Sequence, residues 1–344
     1  MDKNFDPNDL SIANGNYFAL PYDAQQCDLV LISVPWDVTV SYNDGTAQGP
    51  DAIIEASEQV DLYDFDNPDG YKKGIGTVPI EEWLMFESSM LRRDAKRVIE
   101  MLSNGVTSCN ESIKKRVEKI DEGCRKMNNY VYESSKEWLE KGKKVALVGG
   151  DHSTPLGLIR AVAERYGEIA VLHIDAHADL RQAYEGFEFS HASIMYNVIS
   201  SVEQVKSLVQ VGIRDVCDNE IELIHDNNKI TTFFDTQLQE REFMGGNWDS
   251  VCENIVASLG CDKVYVSFDI DGLSPDNCPS TGTPVPGGLS FAKAVHLIKK
   301  ITNSDKEIVG FDLVEVAPHP SGEDEWDANV GARMLYKLCN LALK

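Results

Sequence analysis

Apolar residues along this chain fall into short unbroken runs separated by stretches with helical spacing. The first run, Asp28 to Trp36 (DLVLISVPW), has the pattern of a strand buried on both faces. Glycines and Pro50 then announce a helix start, and residues 51–65 (DAIIEASEQVDLYDF) space their apolar positions as a helix does. Residues 66–80 are loop by their Asn, Pro and Gly content. From about residue 88 to 139 the pattern is helical, with one long amphipathic helix over 110–141. Beyond it strands (143–149, 169–175, 207–213, 229–235, 263–269, 308–316) alternate with helices (155–166, 191–203, 218–226, 249–259, 290–302, 327–343). Such alternation predicts an α/β fold, a single three-layer domain with a mostly parallel, doubly wound sheet and helices on both faces. Residues 1–24, polar and turn-rich, are expected to form an N-terminal arm on the surface or against a neighbouring subunit. Residues 25–344 are then one domain with a helical insertion around 66–140.

Three of the strand runs end in titratable residues. Val171 to Asp179 (VLHIDAHAD) passes from an apolar strand into Asp175, His177 and Asp179. Residues two apart on an extended chain point the same way, so two carboxylates and an imidazole leave one strand end together. Burying them without a positive partner is expensive. Lys263 to Asp271 (KVYVSFDID) ends likewise in Asp269 and Asp271, and Lys143 to Ser153 (KKVALVGGDHS) in Gly149, Gly150, Asp151 and His152. Parallel strands present their carboxyl ends along one edge, where ligands bind. The three ends can therefore pool His152, Asp175, His177, Asp179, Asp269 and Asp271. That donor set exceeds the need of one divalent ion and suits two ions bridged by shared carboxylates, which predicts a two-metal hydrolytic site.

Composition narrows the partners. The 344 residues include 56 acidic and 32 basic side chains, a formal charge of −24 that repels nucleic acid and anionic lipid and attracts cationic solutes. No apolar run reaches the ~20 residues of a membrane span. The opening MDKNFDPNDLSIANGNYF lacks the basic and apolar regions of a signal peptide, so a cytoplasmic protein is expected. The eight cysteines, scattered without a CxxC pair, are expected to be reduced.

GGDHS at 149–153, DAHAD at 175–179, SFDIDGLSPD at 267–276 and TGTPVPGGLS at 281–290 resemble the motifs of the ureohydrolase superfamily: arginase, agmatinase, formimidoylglutamase and other guanidino-group hydrolases. VPWDVTVSYNDGTAQGPDAI at 34–53 is similar to the agmatinase-type N-terminal motif, and GFDLVEVAP at 310–318 to the family's late acidic strand. The resemblance implies an agmatinase-like, metal-dependent amidinohydrolase that releases urea from a small cationic guanidino substrate. Agmatine, free guanidine and a small guanidino acid are the substrates it leaves open. A formimidoylglutamase and a non-catalytic paralogue acting as a binding or regulatory subunit are the alternatives. It implies two divalent ions, Mn(II) with Ni(II) as the alternative. His152, Asp175, Asp179 and Asp269 would hold one, and Asp175, His177, Asp269 and Asp271 the other. Glu315 falls where the family carries the carboxylate that orients the guanidinium, and His191, in FSHASIMY, where it carries a proton shuttle. Asp179 would also orient the attacking water. The family's assembly implies a homotrimer or homohexamer.

The chain also departs from those relatives. Arg181 follows Asp179 by two, a position where it could bind a substrate carboxylate or pair with Glu185 or Glu188. Asn43 and Thr46 stand at commonly basic positions of the N-terminal motif. The inserted stretch at 64–83 and the bulky Tyr184 and Phe187 suggest a pocket closed around a small substrate. His173 shares strand parity with Asp175 and is either a partner of the metal ligands or a core imidazole.

Overall fold

The computed structural model describes residues 5–322 and 324–344. Within these residues eight strands make one sheet: β1 (Leu29–Val34), β2 (Ile75–Val78), β3 (Lys144–Gly149), β4 (Ile169–Ile174), β5 (Val205–Ile213), β6 (Ile230–Phe234), β7 (Lys263–Asp269) and β8 (Glu307–Val314). Their order is β2-β1-β3-β8-β7-β4-β5-β6, and every pairing between these strands is parallel. Among the described residues ten α-helices accompany them: α1 (Gly49–Ser57), α2 (Glu82–Ser103), α3 (Glu111–Glu140), α4 (Leu156–Tyr166), α5 (Ile194–Ser201), α6 (Asp218–Asp226), α7 (Asp235–Phe243), α8 (Trp248–Ser258), α9 (Phe291–Thr302) and α10 (Trp326–Ala342). No helix among the described residues is long and apolar enough to cross a membrane.

Unbroken apolar strands follow from burial on both faces. In β1, Leu29 and Leu31 pack in one layer with Ile53 of α1, Leu297 of α9 and Leu335 of α10. Val30 and Ile32 pack in the other with Leu91 of α2, Ile120 of α3 and Leu158 of α4. All eight cysteines are free thiols. Within residues 1–24, Leu10 and Ile12 are exposed, whereas Tyr17, Phe18 and Leu20 are buried and the Tyr17 hydroxyl lies 2.7 Å from Ser33 Oγ.

Three elements differ from the sequence pattern. The helix expected over 51–65 ends at Ser57, whose hydroxyl donates to Ile54 O and accepts from Phe18 N. Past it the chain turns so that Asp64 meets Lys337 of α10 at 2.5 Å. The stretch 66–80 is not wholly loop: it contains the edge strand β2. Its glycines serve close approach, since a Cβ on Gly76 would lie 2.6 Å from Ala24 Cα. Helix α7 was not expected, because it begins at Asp235 directly after β6 with no turn residue between them.

Parallel strands put their carboxyl ends on one edge, and the central four, β3-β8-β7-β4, bring the chemical motifs together there. Gly150 makes this possible at β3. A Cβ on it would sit 2.0 Å from Trp36 O, so only glycine lets the chain beyond β1 cross so closely. Asp151 N then donates to Trp36 O at 2.7 Å, and Glu315 N, just past β8, donates to Gly150 O at 2.8 Å.

Candidate metal centre and active-site pocket

The six residues pooled from sequence do converge. His152 Nδ1 lies 3.0 Å from Asp175 Oδ2, 3.1 Å from Asp179 Oδ2 and 3.2 Å from Asp269 Oδ2. His177 Nδ1 lies 3.1 Å from Asp271 Oδ2 and 3.5 Å from Asp175 Oδ1. Asp175 therefore faces both imidazoles, one through each oxygen. Backbone amides set the carboxylates: His177 N donates to Asp175 Oδ1 at 2.6 Å, Asp271 N to Asp269 Oδ1 at 2.8 Å and Ala176 N to Asp271 Oδ1 at 3.0 Å.

The hydrogen-bond pattern at His152 calls for a cation. Its Nε2 is 2.9 Å from Ser267 Oγ, and Ser267 in turn donates to Asp312 Oδ1 at 3.1 Å. With its proton committed to Asp312, Ser267 can only accept, so His152 carries its hydrogen on Nε2. Its Nδ1 then faces three carboxylates. Although close to them, it makes no well-directed hydrogen bond and is an orphaned buried atom. Among the described residues no lysine or arginine forms an ion pair with Asp175, Asp179, Asp269 or Asp271. Nitrogen and hard carboxylate oxygen around an uncompensated charge fit divalent metal ions.

Electrostatics express the same deficit. Burial works against a charged His152, yet the Asp175, Asp179 and Asp269 carboxylates raise its pKa well above the ordinary imidazole value. Burial pushes Asp175 up, but His173 and His152 hold it well below the usual carboxylate range. Burial and neighbouring carboxylates push Asp179 up to about 6 and Asp269 well above its ordinary value.

Glu315 and His191 flank the cluster. Glu315 Oε1 accepts from His152 N at 2.9 Å, whereas Oε2 is buried without a partner. Burial, then the charge of Asp151, raises the Glu315 pKa well above its ordinary value. Gly282 leaves the room beside it, since a Cβ there would lie 2.8 Å from Oε2. His191 is pushed down to about 3 by burial and by His177 and His152, so it is a neutral imidazole. Its Nδ1 lies 3.4 Å from Thr39 Oγ1, and Thr39 also donates to Asp151 Oδ2 at 3.2 Å. Asp179 and Glu315 adopt left-handed φ angles of 53° and 62°, strained for residues other than glycine and typical of functional positions.

A cavity of about 250 Å³ opens onto the cluster, lined in part by His177, Asp179, Arg181, Tyr184, His191 and Asp215. Arg181 pairs with neither Glu185 nor Glu188. Its Nε is 3.8 Å from buried Glu220 and its guanidinium stacks 4.7 Å over Tyr184, because α6 brings Glu220 beside the loop. Tyr184 lines the cavity, but Phe187 is buried in the core beneath α2–α5, and the 64–83 insertion contributes no lining residue. The closed pocket expected from these residues does not form, and Tyr42 and Asp215 stand exposed on the cavity's lining. Asn43 instead donates to Thr281 O at 3.1 Å, and Thr46 is buried.

Several residues that shape the site carry no local sequence signal. Arg92 of α2 reaches Val38 O at 3.1 Å, Val40 O at 2.6 Å and Asp44 at 2.7 Å, bracing the loop that holds Thr39. Arg214 donates to the carbonyls of Gly212, Asp271, Leu273 and Val285, tying the end of β5 to the segment after β7. Ser267 and Asp312 set the His152 tautomer. Strand parity alone, two residues before Asp269 for Ser267, was the available hint.

Known proteins match in the same terms. A 29% identical relative from Thermus thermophilus, N(1)-aminopropylagmatine ureohydrolase, aligns over 93% of this chain and 92% of its own length. An agmatinase of Chromobacterium violaceum is 30% identical over 90% of this chain and 81% of its own length. The crystal structure of agmatine ureohydrolase of Thermoplasma volcanium superposes with a TM-score of 0.72 at 20% identity, covering 96% of this chain and 95% of that one. With the Arginase family matching residues 27–340, a span that holds all eight described strands and every residue of the cluster, the chain belongs to the arginase family.

Proposed function

We propose that this arginase-family hydrolase, which acts on C–N bonds of guanidino compounds, is a binuclear-metal amidinohydrolase that releases urea from an agmatine-like substrate: a guanidinium head on a cationic chain. The observation that carries the reading is the buried, unpartnered Oε2 of Glu315 next to the His152 cluster. A carboxylate held in that state is complementary to a planar cation that offers a fork of N–H donors. Two divalent ions, Mn(II) with Ni(II) as the alternative, held by His152, Asp175, His177, Asp179, Asp269 and Asp271, would supply Lewis acidity and a water activated near neutral pH.

The chain's own residues do the rest. Glu315 orients the guanidinium so that its central carbon faces the cluster. Asp179 directs the attacking water. His191, on the cavity wall, is placed to relay a proton to the departing amine. Arg181, already occupied by Glu220 and Tyr184, leaves the exposed Asp215 carboxylate to meet the substrate's tail. This favours a cationic chain over a guanidino acid. Both relatives named above carry agmatine in their names, which supports the same head and spacing.

A second reading, a formimidoyl amino acid, rests on Arg181 lining the cavity. The test is product release by protein loaded separately with Mn(II) or Ni(II) and offered agmatine, N(1)-aminopropylagmatine, guanidine, guanidinobutyrate and formimidoylglutamate. Urea from the first two is expected. Urea from guanidinobutyrate alone would overturn the tail assignment, and formamide would establish the second reading. No product with two ions bound would leave a non-catalytic paralogue. A homotrimer or homohexamer and a cytoplasmic location belong to the same proposal, and sedimentation and cell fractionation read them out.

A further inference from the structure

Strand register places a row of polar side chains across the sheet beneath the metal cluster. Thr232 of β6 pairs with Gln210 of β5, Gln210 with His173 of β4, His173 with Ser267 of β7, and Ser267 with Asp312 of β8. Gln210, His173, Ser267 and Asp312 are fully buried in a layer otherwise apolar. The Ser267 and Asp312 half is spent on His152, as described above. The other half has not been given a task.

Its hydrogen bonds admit one reading. Gln210 Nε2 lies 2.7 Å from Ala178 O, which only accepts, so this atom is the amide nitrogen. Thr232 Oγ1, at 2.9 Å, donates to Gln210 Oε1 and holds the amide against a flip. The second amide hydrogen goes to His173 Nδ1 at 3.0 Å. His173 therefore carries its own hydrogen on Nε2 and donates it to Asp175 Oδ2 at 2.7 Å. With His177 N on Oδ1 at 2.6 Å, each oxygen of Asp175 has one fixed donor. The plane of that carboxylate is set, with Oδ2 turned to His152 and Oδ1 to His177.

We infer that Thr232, Gln210 and His173 form a positioning relay that locks the Asp175 carboxylate with Oδ2 toward His152 and Oδ1 toward His177, the orientation in which it would serve both ions of the proposed centre. His173 is then a positioning residue and not a ligand. The inference rests on the binuclear reading proposed above. Partners of metal ligands of this kind typically change metal affinity by ~10- to 100-fold when removed.

The test uses the full chain titrated with Mn(II), following stoichiometry by elemental analysis and ion–ion coupling by electron paramagnetic resonance. His173→Phe removes both ring nitrogens, and Gln210→Leu keeps His173 but frees its tautomer. Circular dichroism and thermal melting monitor the fold. Expected are one tightly held ion, a second bound ~10- to 100-fold more weakly, and loss of the coupled spectrum at substoichiometric metal. The relay is refuted if either folded variant binds two ions with unchanged affinity and the wild-type coupled spectrum. Should His173→Phe fail to fold, Gln210→Leu alone decides. If the unaltered protein never binds a second ion, the binuclear reading itself fails.

Discussion

Glu315→Gln separates charge from shape at the point where the substrate's cation is proposed to sit. Glutamine keeps an Oε1 to accept from His152 N, a bond of 2.9 Å, and places a neutral amide where the unpartnered Oε2 now lies. Removing one partner of a buried, hydrogen-bonded charge pair costs ~2–5 kcal/mol. At 1.4 kcal/mol per decade, kcat/KM for agmatine should fall by roughly 30- to 4,000-fold. Stability should move the other way. Burial, then Asp151, lifts the Glu315 pKa well above its ordinary value of 4.5, so the ionised group destabilises the fold at neutral pH. The metal-free variant should melt at the same temperature as the parent or higher. Urea release under saturating Mn(II), with metal content checked, supplies the kinetics, and calorimetry at pH 7 the melting temperature. A kcat/KM within about fivefold of the parent, where ~2 kcal/mol is the least expected loss, would refute the charge-matching argument.

Gly282→Ala puts a Cβ 2.8 Å from Glu315 Oε2 and should displace the carboxylate. A shift of ~1 Å costs up to ~100-fold in kcat/KM, here with unchanged metal content; a wild-type rate would show that Glu315 does not meet substrate. His191→Asn should lower kcat by ~10²- to 10⁴-fold. Because His191 is pushed from 6.5 to about 3, folded protein stays uncharged there while unfolded chain binds a proton. That contribution to stability is complete above pH 6.5 and is lost as pH falls toward 3, so the variant should show a flatter acid limb in a melting-temperature profile. Arg181→Met should change agmatine turnover by less than about fivefold, since its 3.8 Å contact with Glu220, partly exposed on the arginine side, is worth ~1 kcal/mol at most. A larger rise in KM would place Arg181 on the substrate.

The amino-acid sequence by itself determined seven of the eight described strands, most of the helices and the histidines and aspartates that cluster at the sheet's edge. Unbroken apolar runs such as Val171–Ile174 encode strands buried on both faces, and acids two apart at their ends encode a shared edge. Those signals are local and periodic, so they survive without a partner in view. The 66–80 segment failed because glycine reports freedom in a loop and close approach in an edge strand with the same letter, and only Ala24 beside Gly76 decides between them. The Glu220 partner of Arg181 was not legible because it lies on another element, brought near only by folding. Tertiary structure alone decided the strained φ of Asp179 and Glu315, the orphaned Glu315 Oε2, the brace from Arg92, and the cross-strand row from Thr232 to Asp312. Each depends on register or on distance across the sheet, a quantity that chain order does not contain.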